Sequence, residues 1–300
     1  MRKFLLGLAV LAIVAAACAP EDEGSTEPTD SGGTTEPAPV DAASCAADAT
    51  LVNDGTLTIA TGNPAYKPWY GGKSIAGSEW ESGEFTGDPH TGEGYESAFG
   101  YALAEELGFA EDQVEWLGVP FNKSFAPGPK DFDFSMQQVS ITPKRAEAVD
   151  FSAGYFDVNQ ALIANEGSPA IGATTFAELQ DLTLGAPIGT TSLAAIEELV
   201  QPTEGARVYD DLDLALKDLK NGQVDGVVVD FPTAFYGYAD VVVGQFPDLG
   251  EQEQFGLTFE KGNTFVECVD LGIEALRDDG TLDALKAEWL ETDTSVPTFS

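Results

Sequence analysis

In the hexapeptide Ser140-Ile-Thr-Pro-Lys-Arg145 a hydroxyl and a guanidinium stand close together, where Thr142 and Pro143 read as the cap and first residue of a helix. Arg is planar and permanently charged, so it grips a carboxylate through two parallel hydrogen bonds, and a Ser hydroxyl beside backbone N–H groups completes a cradle for an anion. Gly189-Thr190-Thr191 offers a second cradle: glycine lets the chain turn closely and Thr191 brings a hydroxyl to another helix start. Asp230 has the opposite character. It ends the apolar run Val227-Val228-Val229, and a carboxylate there wants either an ammonium group or the N–H groups of the following turn. A guest with one carboxylate and one ammonium, an α-amino acid, answers both demands.

Such residues need elements to hold them, and the mature region reads as alternating α/β. Strands are expected at 57–61, 114–119, 133–138, 182–186 and 224–230. Helices are expected at 95–107, from Thr142-Pro143, from the capping box Thr175-Phe-Ala-Glu178, and at 193–200, 211–220, 266–276 and 281–290. In this class ligands collect beyond the carboxyl ends of strands and at helix starts. The stretches 61–70, 138–145 and 189–192, together with Asp230, all fall there. Two lobes suit about 250 structured residues.

The chain of 300 residues carries 51 acidic against 14 basic residues, a formal net charge of −37. Phosphate backbones and anionic bilayer surfaces are bound through Lys and Arg, so neither nucleic acid nor an anionic membrane face is a partner. The acidity reads as a solvated surface. The single histidine, His90, lies in a Gly-rich loop, and no Cys/His spacing fits a metal, a Ser-His-Asp triad or a Cys-His pair. No cofactor is implied.

The start of the chain is an address. Met1-Arg2-Lys3 precedes an apolar run ending in Ala15-Ala16-Ala17-Cys18, which reads as an export signal over 1–17 rather than a membrane span. The last four residues resemble a bacterial lipobox, which makes Cys18 a lipidation site; cleavage of an ordinary signal near Ala17 or Ala19 is the alternative. Residues 18–44, acidic and rich in Thr, Pro and Gly, read as a flexible tether. With Cys18 lipidated, Cys45 and Cys268 remain as an even pair in an oxidising compartment, and a bridge between them is expected, with two unpaired thiols as the alternative.

Thr56-Leu-Thr-Ile-Ala-Thr-Gly-Asn-Pro-Ala-Tyr66-Lys-Pro-Trp69, Val139-Ser140-Ile-Thr-Pro-Lys-Arg145-Ala-Glu-Ala-Val-Asp150-Phe-Ser152, Gly189-Thr-Thr191 and Gly222-Gln-Val-Asp225-Gly-Val-Val-Val-Asp230 resemble the family 3 solute-binding proteins, the polar amino-acid receptors of ABC importers. The likeness runs from about residue 56 to 290 with the motifs in the family's order. It implies a two-lobed periplasmic-binding-protein fold of type II with a two-strand hinge crossing near 156–163 and 256–261. Residues 45–158 plus 262–300 would then form lobe 1 and 159–261 lobe 2. The resemblance places the ligand carboxylate on Arg145, Ser140 and Thr191, its ammonium on Asp230, and its side chain between Tyr66 and Phe121. Gln138 stands where many relatives have a small residue and could bond an amide or hydroxyl, which favours a polar uncharged amino acid, then an acidic one. The expected protein is a monomeric, extracytoplasmic, lipid-anchored receptor that passes an amino acid to a permease. An enzyme on the same fold, of the cyclohexadienyl dehydratase kind, and an amino-acid sensor are the competing readings. The stretch 70–93 is longer than the family's usual connection, as a surface insertion or a lid.

Overall fold

Leu57–Thr61 is buried along its whole length, as a strand is when both faces of its sheet are covered. It pairs in parallel with Val114–Gly118 on one side and Phe134–Ser135 on the other. Thr258–Glu260 and Val149–Phe151 complete this five-stranded sheet, Thr258–Glu260 running antiparallel to both of its neighbours. A second five-stranded sheet has the spatial order Arg207–Tyr209, Leu184–Pro187, Gly226–Asp230, Gln160–Ala164, Val241–Gln245. Each sheet centres one lobe. This computed structural model describes residues 41–236, 238–290 and 295–300, and the signal segment 1–17, Cys18 and the tether up to residue 40 lie outside them.

Helix patterning explains the first core. Along Phe265–Asp278 the buried residues are Phe265, Cys268, Val269, Gly272, Ile273 and Leu276, a spacing of three and four that makes one apolar face. That face meets Leu103 of Tyr95–Glu106 so closely that a Cβ on Gly272 would stand 2.7 Å from the leucine. The second sheet is covered on both sides, by Leu162, Ile196, Val228 and Phe246 on one and by Ile163, Leu219, Val227 and Val229 on the other.

The chain passes between the sheets twice, and Phe156–Asp157 pairs antiparallel with Gln254–Phe255 in the two passages. The expected crossings, 156–163 and 256–261, differ from this. Ala161, Leu162 and Ile163 are fully buried inside the second lobe, and Thr258–Glu260 already belongs to the first sheet; apolar runs are drawn into the nearest core rather than left spanning the gap.

Two further boundaries are corrected. The end of the chain, expected in lobe 1, lies on the second sheet: Phe299 N–H donates to Gln245 O at 2.9 Å and Gln245 N–H to Pro297 O at 2.9 Å, and the Phe299 ring covers Gly244, where a side chain would clash at 2.6 Å. The last residues of the expected tether are helical, since Asp41 caps Ala42–Ala46 by accepting the Ser44 N–H at 2.7 Å. That short helix is joined to Phe265–Asp278 through Cys45 and Cys268, whose Cα atoms are 5.3 Å apart across the bridge.

The long connection 70–93 is not a loose surface loop. Trp80 is buried and donates its indole N–H to Gly62 O at 2.7 Å, while Phe85 stacks on Tyr238 of the second lobe at 4.5 Å. The Tyr238 hydroxyl reaches the carbonyls of Lys67 at 2.7 Å and Phe85 at 3.0 Å. The segment therefore fastens the lobes to each other along one side of the cleft.

Candidate functional site

Between the lobes lies a cavity of about 400 Å³, and Arg145, Ser140, Thr191, Asp230, Tyr66, Phe121 and Gln138 all line it. Local signals explain the placement. Thr142 caps the short helix Pro143–Ala146 by accepting the Arg145 N–H at 3.2 Å. Thr190 caps the helix Thr191–Ala195 by accepting the Leu193 N–H at 3.1 Å, so that helix begins two positions before the expected residue 193.

Arg145 is 8% exposed. Its guanidinium donates to Ser140 O of the first lobe at 2.7 Å and to Gly189 O of the second at 2.8 Å, and lies 4.4 Å over the Phe125 ring and 5.6 Å over that of Phe121. Among the described residues no carboxylate comes within ion-pair distance of it, and Asp150, five residues along the chain, pairs with Lys261 at 2.6 Å. Burial lowers its pKa to about 10, offset in part by the charge of Glu253, so it stays cationic at neutral pH. Two of its five N–H donors are placed on carbonyls, and an anion in the cavity could take others.

Asp230 ends Gly226–Asp230 and caps the following helix, accepting the Thr233 N–H at 2.9 Å. Burial raises its pKa to about 6, against the lowering effect of hydrogen bonds from Thr233 and Trp69. Both readings of this residue therefore coexist: it caps a turn, and it is a half-buried carboxylate lining a cavity without an ion pair among the described residues. The lobes meet beside it, where Trp69 Nε1 donates to Thr233 Oγ1 at 3.0 Å.

Ser140 and Thr191 depart from the expected arrangement. Their hydroxyls donate to a protein carboxylate, that of Glu253, at 2.5 Å and 2.7 Å, so those protons are not turned to a ligand carboxylate. Gln138 departs too: its backbone N–H donates to Glu96 at 2.9 Å and its side-chain amide bonds the same carboxylate. An amide so committed is a poor reader of a ligand side chain. Phe121 lies under the guanidinium, and the Tyr66 hydroxyl is buried beside Asp213, away from the open part of the cavity. Asp210 and Asp211 also line it, which disfavours an acidic side chain.

Lys67 is spent on the carbonyls of Gly83 and Glu84 at 2.9 and 3.2 Å, and His90 Nδ1 lies 2.8 Å from Asp88. Among the described residues no group of three or more His, Cys, Asp or Glu side chains could hold a metal, and no helix is long and apolar enough to cross a membrane.

Sequence reasoning missed Gln160, Glu253 and Glu96. Gln160 heads an otherwise apolar strand and is buried, the same signal that marked Asp230. Glu96, in the first turn of its helix, resembles any dipole-favoured acid, yet it is fully buried and burial raises its pKa to about 7. The sign follows: between its usual 4.5 and about 7 the folded state holds a proton that the unfolded state has lost, so stability falls as pH rises through that window. Asp230 acts in the same direction between 3.8 and about 6. Urea unfolding of the ligand-free protein should show lower stability at pH 8 than at pH 5, by on the order of 2 kcal/mol, and Glu96→Gln should remove most of the difference; a wild type more stable at the higher pH would contradict this assignment.

A family model described as bacterial extracellular solute-binding proteins, family 3, matches residues 76–292. Among curated proteins, the L-cystine-binding protein TcyJ of Escherichia coli (strain K12) is 29% identical over 223 residues, covering 70% of this chain and 79% of that protein. A probable histidine-binding protein of Neisseria gonorrhoeae is 25% identical over 206 residues, 66% of this chain and 74% of its own. Among solved structures, an ancestral amino acid-binding protein described as a precursor of cyclohexadienyl dehydratase superposes with a TM-score of 0.62 at 27% identity, over 79% of this chain and 96% of that one.

Proposed function

The chain belongs to the bacterial extracellular solute-binding proteins, family 3, and we propose that it receives an α-amino acid between its lobes and delivers it to the permease of an ABC importer. One observation carries the reading: a buried guanidinium from the first lobe and a half-buried carboxylate from the second line a single cavity, and neither has an ion pair among the described residues. Burying lone charges is costly, and a zwitterion bridging the lobes offsets both costs at once. Its carboxylate lies on Arg145 and its ammonium on Asp230, and because each belongs to a different lobe, the ligand favours the closed arrangement. Tyr66 and Phe121 flank its side chain.

Asp210 and Asp211 set the order of preference: uncharged polar or cationic side chains before acidic ones. Asp230 serves as the ammonium's partner, and the similar curated proteins are binding proteins, so binding rather than turnover is the role favoured. On this reading the receptor works outside the cytoplasm as a monomer, with Cys18 carrying its lipid anchor. A thermal-shift screen against the common amino acids and cystine tests the proposal, since a ligand that binds only the folded state raises its melting temperature. At least one should do so; no rise with any of them would sink the reading.

A further inference from the structure

Glu253 lies in the second passage between the lobes, one residue before Gln254–Phe255. Its backbone is fixed, the N–H donating to Asp248 Oδ1 at 3.2 Å and the carbonyl accepting the Val158 N–H at 2.9 Å. Its Oε1 receives both Ser140 Oγ, from the first lobe, and Thr191 Oγ1, from the second, and those two hydroxyl oxygens are 3.2 Å apart. The Gln160 amide donates to both carboxylate oxygens at 3.1 Å and is held in turn by the Ser192 hydroxyl at 2.6 Å. Glu253 is not itself among the residues lining the cavity, whereas Ser140 and Thr191 are.

A hydroxyl has one proton and two lone pairs. With that proton committed to the carboxylate behind, and one Thr191 lone pair taken by the Gln160 amide at 3.3 Å, what Ser140 and Thr191 still offer the cavity is acceptors. Acceptors repel a carboxylate and attract an ammonium group. We propose that Glu253 is the positioning residue of this site: by drawing the protons of Ser140 and Thr191 away from the cavity, it turns their lone pairs toward the guest's ammonium and decides which way round the amino acid lies. This rests on the amino-acid reading of the cavity. It also ties orientation to closure, because hydroxyls from opposite lobes reach one carboxylate oxygen only when the lobes are together.

The test uses the full chain and two probes: the amino acid giving the largest melting-temperature rise in the screen, and the same molecule with its α-amino group replaced by hydrogen. Calorimetric titration should find that Glu253→Gln weakens the amino acid by about tenfold to a hundredfold, the range of a hydrogen bond to a charged group, while the deaminated molecule changes by less than about threefold. Ser140→Ala combined with Glu253→Gln should lose less than the sum of the single changes, since the glutamate acts through the serine. Should Glu253→Gln not fold, Glu253→Asp, one methylene too short to reach both hydroxyls, should give the same selective loss. Equal losses for the two probes, or an unchanged affinity for the amino acid, would overturn the inference and leave the receptor reading standing. A wild type that retains no amino acid would sink both.

Discussion

Arg145→Ala should weaken amino-acid binding by about 2 to 5 kcal/mol, roughly thirtyfold to several thousandfold, because it leaves a buried ligand carboxylate without its counter-charge. The expectation for stability is different. The guanidinium bonds one carbonyl from each lobe and stacks on Phe125, which favours the fold, but it is also a buried charge with no carboxylate beside it among the described residues, which does not. These effects oppose each other, so the melting temperature of the ligand-free variant should move little while the rise given by the amino acid disappears. Arg145→Lys should recover only part of the affinity, since an ammonium cannot reproduce two parallel hydrogen bonds. Calorimetric titration and a thermal scan decide the matter together. Undiminished affinity in Arg145→Ala would remove this residue from the site.

Much of this candidate site is legible in the sequence, because its residues sit where local signals are strong. Thr142 and Pro143 announce a helix start that carries Arg145, and Asp230 is conspicuous as a charge ending an apolar strand. Both signals are short-range and chemical. What escaped was set by long-range packing. Glu253 lies in a polar stretch, Gly-Glu-Gln-Glu-Gln, with nothing local to separate it from its neighbours; its meaning comes from Ser140, 113 residues away, and Thr191, 62 away. The bonding of Gln138 is not legible in the sequence for a related reason. Its positive φ of 51°, a region that non-glycine residues seldom adopt, accompanies an amide turned to Glu96, 42 residues earlier.

The fold shows the same division. Strands and amphipathic helices followed from periodicity, whereas the passages between lobes and the fate of the chain end did not. Phe299 covers Gly244 on the second lobe, and no pattern within the last few residues says which of two apolar cores will receive a single phenylalanine. The insertion 70–93 is likewise polar in composition, but Trp80 and Phe85 turn it into a fastening between lobes. Trp80 and Phe85, aromatic residues in a Gly-rich stretch, are the sequence trace of that role.

Asp230→Asn should remove the pH dependence of binding along with much of its strength. In the wild type, burial holds this carboxyl near a pKa of about 6, while an ammonium against it favours the ionised form and lowers that value in the complex. Binding below about pH 6 must therefore expel a proton, so affinity should fall by up to about tenfold for each unit of pH below that point and level off above it. In Asp230→Asn the cap on Thr233 survives through the amide oxygen, the charge does not, and the affinity should be low, by about 2 kcal/mol or more, and flat across the same range. Glu96, held near 7, titrates in an overlapping range through Gln138. Glu96→Gln separates the two, since it should preserve the inflection near 6 if Asp230 is the ammonium's partner. Titrations in buffers of different ionisation enthalpy would count the protons released. A wild type whose affinity rises on acidification, or an Asp230→Asn variant that keeps the inflection, would place the ammonium elsewhere.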